Sequence, residues 1–180
     1  MVRTCGYMVS PSPWLLQEVK CTYAQGHQLV SHTWSHPDLT KPSFDQIHNE
    51  MWRIEQALER IVGVSPAFIR LPYRNYNNLV REVAKQRNQS VHHVGFEHRR
   101  LPRSRCCTIE KVYAVAKNPR NILALNHETY SGTAETIVSY AIKVLQRKGY
   151  RLVTVAECPG GLAPYQWTAP PQTSVPSWTC

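Results

Sequence analysis

No stretch of this chain approaches the roughly 18 consecutive apolar residues a membrane-spanning helix needs, which excludes such a helix within it. The first residues, Met1 to Gly6, lack the continuous apolar core of a secretory signal. If residue 1 is the true start, the product is therefore expected in the cytosol. None of the six cysteines (Cys5, Cys21, Cys106, Cys107, Cys158 and Cys180) forms a C-x-x-C pair. The gap between Cys5 and Cys21 is also far too wide for a finger-type zinc site. Adjacent Cys106 and Cys107 would need a strained ring to bond each other. Cys158 and Cys180 bracket a proline-rich tail, and either staple it in an oxidising compartment or remain free thiols. There is no internal repeat. Aspartate is nearly missing: only Asp38 and Asp45 occur.

What is present is ordinary globular material. Of 180 residues, 42% are hydrophobic and 18% charged, enough for one domain with a real core and too apolar for disorder. The formal net charge is +9, which admits a nucleic acid or an anionic surface as partner but says nothing about fold. Arg99, Arg100, Arg103 and Arg105 supply much of that charge. No base-stacking aromatic platform accompanies them, so the cluster reads as a solvated loop and a nucleic-acid partner is not expected.

Hydrophobic spacing divides the chain into alternating elements. Residues 1–14, with Pro11 and Pro13, are unpatterned and read as irregular. Trp14 to Ala24 can form a helix capped by Gly26, and Gln28 to Ser31 a strand. Ser43 and Gln46 resemble a capping box. Ile47, Met51, Ile54, Leu58 and Ile61 then recur at four- and three-residue steps, a buried helical stripe that Gly63 ends. Ala67-Phe68-Ile69 reads as a strand, Asn77 or Asn78 as the cap of a helix through Leu79 and Val83, and Val91 to Val94 as a weak strand. Thr108 can cap a helix carrying Ile109, Val112, Tyr113 and Ala116. Asn121 to Asn126 is an apolar strand suited to the centre of a parallel sheet. Glu135 to Lys148 is helical, stopped by Gly149, and Arg151 to Val155 gives a last strand. This order implies an α/β fold with parallel strands. The main domain is placed at 15–158, and 159–180 is read as a proline-rich tail without its own core.

Three segments at strand ends carry chemistry. His32 and His36 stand four apart after the strand at Gln28; on a helical turn both imidazoles reach one cation, and imidazole suits Zn²⁺ and its neighbours. Arg70-Leu71-Pro72-Tyr73 ends the next strand. Its arginine can hold a carboxylate in a bidentate pose, and its turn can aim a backbone N–H at an oxyanion. His127 directly follows Ile122 to Leu125. In a parallel α/β fold such strand ends converge on one crevice, so three independent placements support one another.

It is on these residues that the chain resembles a known family. His32-Thr33-Trp34-Ser35-His36-Pro37 resembles the metal-binding H-[ST]-x-x-H-P motif of the polysaccharide deacetylases (carbohydrate esterase family four, NodB-like). Arg70-Leu71-Pro72-Tyr73 resembles that family's R-x-P-[YF] motif, and Leu125-Asn126-His127 its L-x-H motif. Gly26 to Leu39 and Gly149 to Cys158 are most similar to fungal chitin deacetylases. The resemblance implies a distorted, incomplete (β/α) barrel, its first strand or strands missing, and metal-assisted removal of N-acetyl groups from N-acetylglucosamine polymers. It implies that His32 and His36 bind a divalent metal, zinc or cobalt, and that His127 is the general acid. Arg70 would orient the catalytic base, the Tyr73 backbone N–H would stabilise the oxyanion, and Leu125 with Trp34 would belong to the substrate pocket. The implied partner is chitin or a chitooligosaccharide, and the implied location is secreted or cell-wall.

Two parts of the family pattern are not found. Its first motif, usually T-F-D-D-G-P, supplies an Asp base and an Asp metal ligand upstream of the histidine pair, whereas Asp38 and Asp45 both lie downstream of His32. Its fourth motif places a Trp and an Asp where this chain has His92 to Cys107, a basic interruption that reads as a shifted frame or missed splice. The expectation is therefore a truncated domain with impaired activity, or a non-catalytic carbohydrate-binding remnant.

Overall fold

The computed structural model describes residues 4–7, 13–92, 96–97, 123–125 and 136–172, and the chain divides into two compact units, Val94–Val153 and Val2–His93 with Thr154–Cys180.

In the larger unit, β1 (Thr4–Tyr7), α1 (Pro13–Ala24) and β2 (Gln28–Ser31) are followed by α2 (Phe44–Val62), β3 (Val64–Pro66) and β4 (Phe68–Arg70). A single 3₁₀ turn, Pro72–Arg74, leads to α3 (Asn78–Gln86) and β5 (Ser90–His92). The sheet runs β1-β2-β4-β5, every pairing parallel, with Thr4 opposite Gln28, Ser31 opposite Ile69, and Phe68 opposite Ser90. Strand–helix alternation around a parallel sheet is the incomplete (β/α) pattern the sequence implied.

Helix α2 is the spine, and its sequence explains why. The Ser43 side chain accepts the Gln46 N–H while the Gln46 side chain accepts the Ser43 N–H, which satisfies two orphan donors at once. At the other end Gly63 adopts a left-handed φ of 74° and donates its N–H to Glu59. Glycine is required there, because a Cβ would lie 1.8 Å from the Ala169 carbonyl oxygen. Between the caps, Ile54, Leu58 and Ile61 pack with Val19, Leu29 and Val64 in one cluster. Ile47 and Met51 pack with Leu39, Ile69, Leu71, Val80 and Val83 in another, so one helix buries residues against both its neighbours. We expect Ser43→Ala to lower stability by about 1 kcal/mol. Urea unfolding would measure it, and an unchanged midpoint would show the cap to be idle.

Three sequence expectations need correction. Residues 4–7 are not irregular: they form β1, whose four residues are too few to show a period but pair along β2. The tail is not without structure either, because β8 (Tyr165–Thr168) pairs antiparallel with β3, Tyr165 packs on the first cluster, and its hydroxyl accepts the Leu29 N–H at 3.1 Å. Proline content hid that alternation. Conversely, 151–155 form no strand. Thr154 gives its backbone N–H and hydroxyl to the Glu157 carboxylate, so a local side chain satisfies an N–H a ladder would have used, and just beyond it Ala156 donates to the distant Gln28 side chain.

In the smaller unit, β6 (Phe96–Glu97) pairs parallel with β7 (Ala124–Leu125), and α4 (Val138–Arg147) buries Ala141, Val144 and Leu145 with Ile137. The helix expected after Thr108, the arginine cluster and His127 lie outside the described residues. So does Cys180; Cys21 and Cys158 are exposed free thiols. Among the described residues no helix is long and apolar enough to cross a membrane.

Candidate functional site

Two turns at the ends of neighbouring parallel strands make the site. After β2 the chain enters His32-Thr33-Trp34-Ser35-His36, and after β4 it enters Leu71-Pro72-Tyr73-Arg74. Of the five non-glycine residues with positive φ among those described, four lie here: Thr33 at 66°, His36 at 57°, Tyr73 at 53° and Arg74 at 61°. For a β-branched residue such as Thr33 this is a real outlier, and each such residue stores on the order of 1–3 kcal/mol. The two histidines therefore do not sit on a helical turn, as their spacing had implied. The strand end doubles back and brings the rings together, with centroids 4.8 Å apart and planes at 82°.

Hydrogen bonds hold this bend. The Thr33 hydroxyl accepts the His36 N–H at 3.2 Å. From α2, the Glu50 carboxylate accepts the Trp34 N–H at 2.9 Å, the Ser35 N–H at 2.8 Å and the Ser35 hydroxyl at 2.6 Å. Sequence reading missed Glu50. The available signal was its place three residues after Ile47 and one before Met51, a carboxylate on the flank of a buried stripe.

His32 is almost wholly buried, and its Nδ1 lies 2.6 Å from the Arg70 carbonyl oxygen. A carbonyl only accepts, so Nδ1 donates, and in the neutral ring this selects the tautomer in which Nε2 is the metal-competent nitrogen. Arg70 thus contributes through its backbone. The Tyr73 ring meets His36 edge-on at 4.7 Å and is 59% exposed. Trp34 packs against the first core cluster and carries the Arg53 guanidinium 4.2 Å above its ring. Leu125 ends β7 in the other unit.

The donor set is short. Among the described residues no group of three His, Cys, Asp or Glu side chains could hold a metal ion. Asp38 does not serve, because its Oδ1 accepts the Thr40 N–H at 3.1 Å and the Thr40 hydroxyl at 2.7 Å while Oδ2 accepts from Asn75 at 3.0 Å. The Thr40 hydroxyl, then the Thr40 and Asn75 amides, hold its carboxyl below the usual aspartate range, which weakens it as a base. Two imidazoles fit two positions around a divalent cation; a catalytic zinc takes three protein ligands.

Comparison with known proteins follows the same lines. A family model described as polysaccharide deacetylase matches residues 7–92, which include the histidine pair and Arg70 to Tyr73. The chain is 31% identical over 162 residues to a chitin deacetylase of Colletotrichum lindemuthianum, covering 80% of this chain and 60% of that protein. The solved structure of the chitin deacetylase from that fungus matches with a TM-score of 0.80 at 24% identity, over 91% of this chain and 75% of that one. A mutant of a CE4 family pseudoenzyme matches with a TM-score of 0.73 at 18% identity, over 87% and 56% of the two chains. The chain spans about half the length of the curated relatives it matches.

Proposed function

The chain belongs to the polysaccharide deacetylase family, and on that premise we propose that it is a hydrolase domain of the chitin deacetylase kind, whose residues 1–180 turn substrate over feebly by themselves. Its substrate is the N-acetyl amide of an N-acetylglucosamine polymer, chitin or a chitooligosaccharide, met outside the cell or in its wall. The observation that carries this reading is the buried His32, its tautomer set by the Arg70 carbonyl, facing His36 on a strained strand-end bend.

The family's chemistry is metal-assisted: a bound divalent cation polarises the amide carbonyl and acidifies a water. His32 and His36 would supply two ligands to a zinc or cobalt ion, and among the described residues no third His, Cys, Asp or Glu completes the set. The remaining roles come from the resemblance. On that resemblance His127 would protonate the departing amine, the Tyr73 N–H would receive the oxyanion, Leu125 would shape the acetate pocket, and Trp34 would belong to the substrate pocket. Asp38 and Asp45 both lie downstream of the histidine pair, where the family's Asp base does not stand, and loss of a positioned base lowers a rate by roughly 10²- to 10⁴-fold. The same shortage favours a second reading, a carbohydrate-binding domain without catalysis, and the likeness to a CE4 pseudoenzyme supports it in fold alone.

Acetate release from chitin oligomers with added Zn²⁺ or Co²⁺ decides between them. The expected result is slow release that exceeds that of the His32→Ala/His36→Ala variant. Release equal to that variant, with oligomer binding retained, replaces the hydrolase by the binding domain. If oligomers neither bind nor react, both readings fail.

A further inference from the structure

Between residues 136 and 153 the chain holds four basic side chains, Lys143, Arg147, Lys148 and Arg151, and no acidic one. The other helices mix their signs. Glu18 stands near Lys20 on α1, Glu82 beside Arg81 on α3, and Glu50 and Glu59 beside or near Arg53 and Arg60 on α2. We infer that the exposed face of α4, with the segment just after it, binds a linear polyanion, a polymer that carries a phosphate or a carboxylate on each repeat. The inference does not depend on the deacetylase reading, and it assigns a use to part of the net charge of +9.

Helix α4 divides its residues by face. Ala141, Val144 and Leu145 are buried with Ile137, and Tyr140, Tyr150 and Leu152 pack on the same cluster. Lys143, Gln146, Arg147 and Arg151 are exposed. No large hydrophobic side chain of this segment is among the exposed ones, so the face offers charge and no apolar wedge of the kind that enters a bilayer. Lys143 and Arg147 stand one turn apart, about 6 Å along the axis, so successive anions of an extended chain can meet them in series. Among the described residues no carboxylate pairs with Lys143, Arg147 or Arg151. Arg147 donates Nε to the Lys143 carbonyl at 3.2 Å, which uses one of its five donors and leaves the four on its terminal nitrogens for an oxyanion. Complementing the negative end of the helix accounts for Arg147 and Lys148. It does not account for Arg151, which lies beyond the left-handed stop at Gly149, φ 79°. Like charges one turn apart also repel and weaken a helix, a cost that a bound polyanion offsets.

Isothermal titration with long-chain inorganic polyphosphate and with poly-glutamate tests the assignment. Binding of at least one polymer is expected, and three or four ionic contacts should make it weaken roughly 20- to 50-fold between about 50 and 200 mM salt. The variant Lys143→Gln/Arg147→Gln/Arg151→Gln should lose affinity on the order of 100-fold at the lower salt. The control Lys20→Gln/Arg81→Gln/Lys85→Gln removes as many charges from exposed positions of α1 and α3, and should bind as the unaltered chain does. Equal weakening in both variants would make net charge, not this face, the cause, and would overturn the inference. If the α4 variant fails to fold, backbone amide shifts of the unaltered chain decide. Shifts on polymer addition at Lys143 to Arg151 uphold the face, and shifts confined to other residues overturn it. Tighter binding to vesicles of equal parts phosphatidylserine and phosphatidylcholine than to either polymer, or no binding to either polymer, overturns it as well.

Discussion

Glu50→Ala will weaken Zn²⁺ binding by the His32–His36 pair by about 10- to 100-fold, the range seen when a partner that orients metal ligands is removed, and will leave the parallel sheet folded. The reason is the strain in the bend. Thr33 and His36 both hold left-handed backbone that a side-chain-bearing residue avoids, and they hold it because other groups impose it. Glu50 contributes three of the bonds that do so, to both amides and the hydroxyl at the centre of the loop. Without them Trp34 and Ser35 turn to water and the bend relaxes toward ordinary φ. His32 remains anchored by Arg70, but His36, beyond the released segment, no longer faces it. Glu50→Gln discriminates charge from geometry: its one carbonyl oxygen still accepts the two amides, so its Zn²⁺ affinity should fall between those of the unaltered chain and Glu50→Ala. Isothermal titration of the three proteins with Zn²⁺ measures the series. Equal affinity in all three would mean the pair is organised without α2.

How much of this was legible beforehand depended on how far apart the interacting groups lie in sequence. The caps of α2, Ser43 with Gln46 and Gly63, involve neighbours and could be read from residue types. The stripe from Ile47 to Ile61 could be read from period. The spacing of His32 and His36 suggests a pair on a helical turn, whereas the pair forms across a bend, because spacing alone does not report that Thr33 turns left-handed. Arg70 was chosen for its guanidinium, yet its contribution to His32 is a backbone carbonyl that any residue at that strand end would offer. Glu50 and the partners of Asp38 escaped because what they bind lies elsewhere in the chain, Asn75 being 37 positions from Asp38. The tail strand escaped because alternation at Tyr165 and Trp167 was read through the surrounding prolines.

Glu55→Ala will lower stability by about 3–5 kcal/mol, the cost of stripping one partner from a buried ion pair. Glu55 is 8% exposed and lies within the apolar stripe of α2, where a lone charge would be prohibitive. It is tolerated because both oxygens are used. Oε1 accepts from Arg87 Nε at 2.7 Å and from Gln89 Nε2 at 2.8 Å, and Oε2 pairs with Arg87 Nη2. Arg87 in turn donates Nη1 to His48 Nε2 at 2.7 Å. Its backbone carbonyl accepts from Gln166, which also donates to Pro66, so the end of α3 is tied to α2 and to β8 at one point. Alanine leaves the mostly buried guanidinium with its main partner gone, and the penalty comes from that orphaned charge more than from the attraction lost. The double variant Glu55→Met/Arg87→Leu should therefore recover most of the loss, since apolar side chains of similar volume place no charge in the interior. Urea unfolding of the unaltered chain, Glu55→Met, Arg87→Leu and the double variant closes the cycle, with Glu55→Ala measured beside them. If the double variant is as unstable as Glu55→Ala, packing around the Glu55 stem accounts for the effect and the ion pair does not.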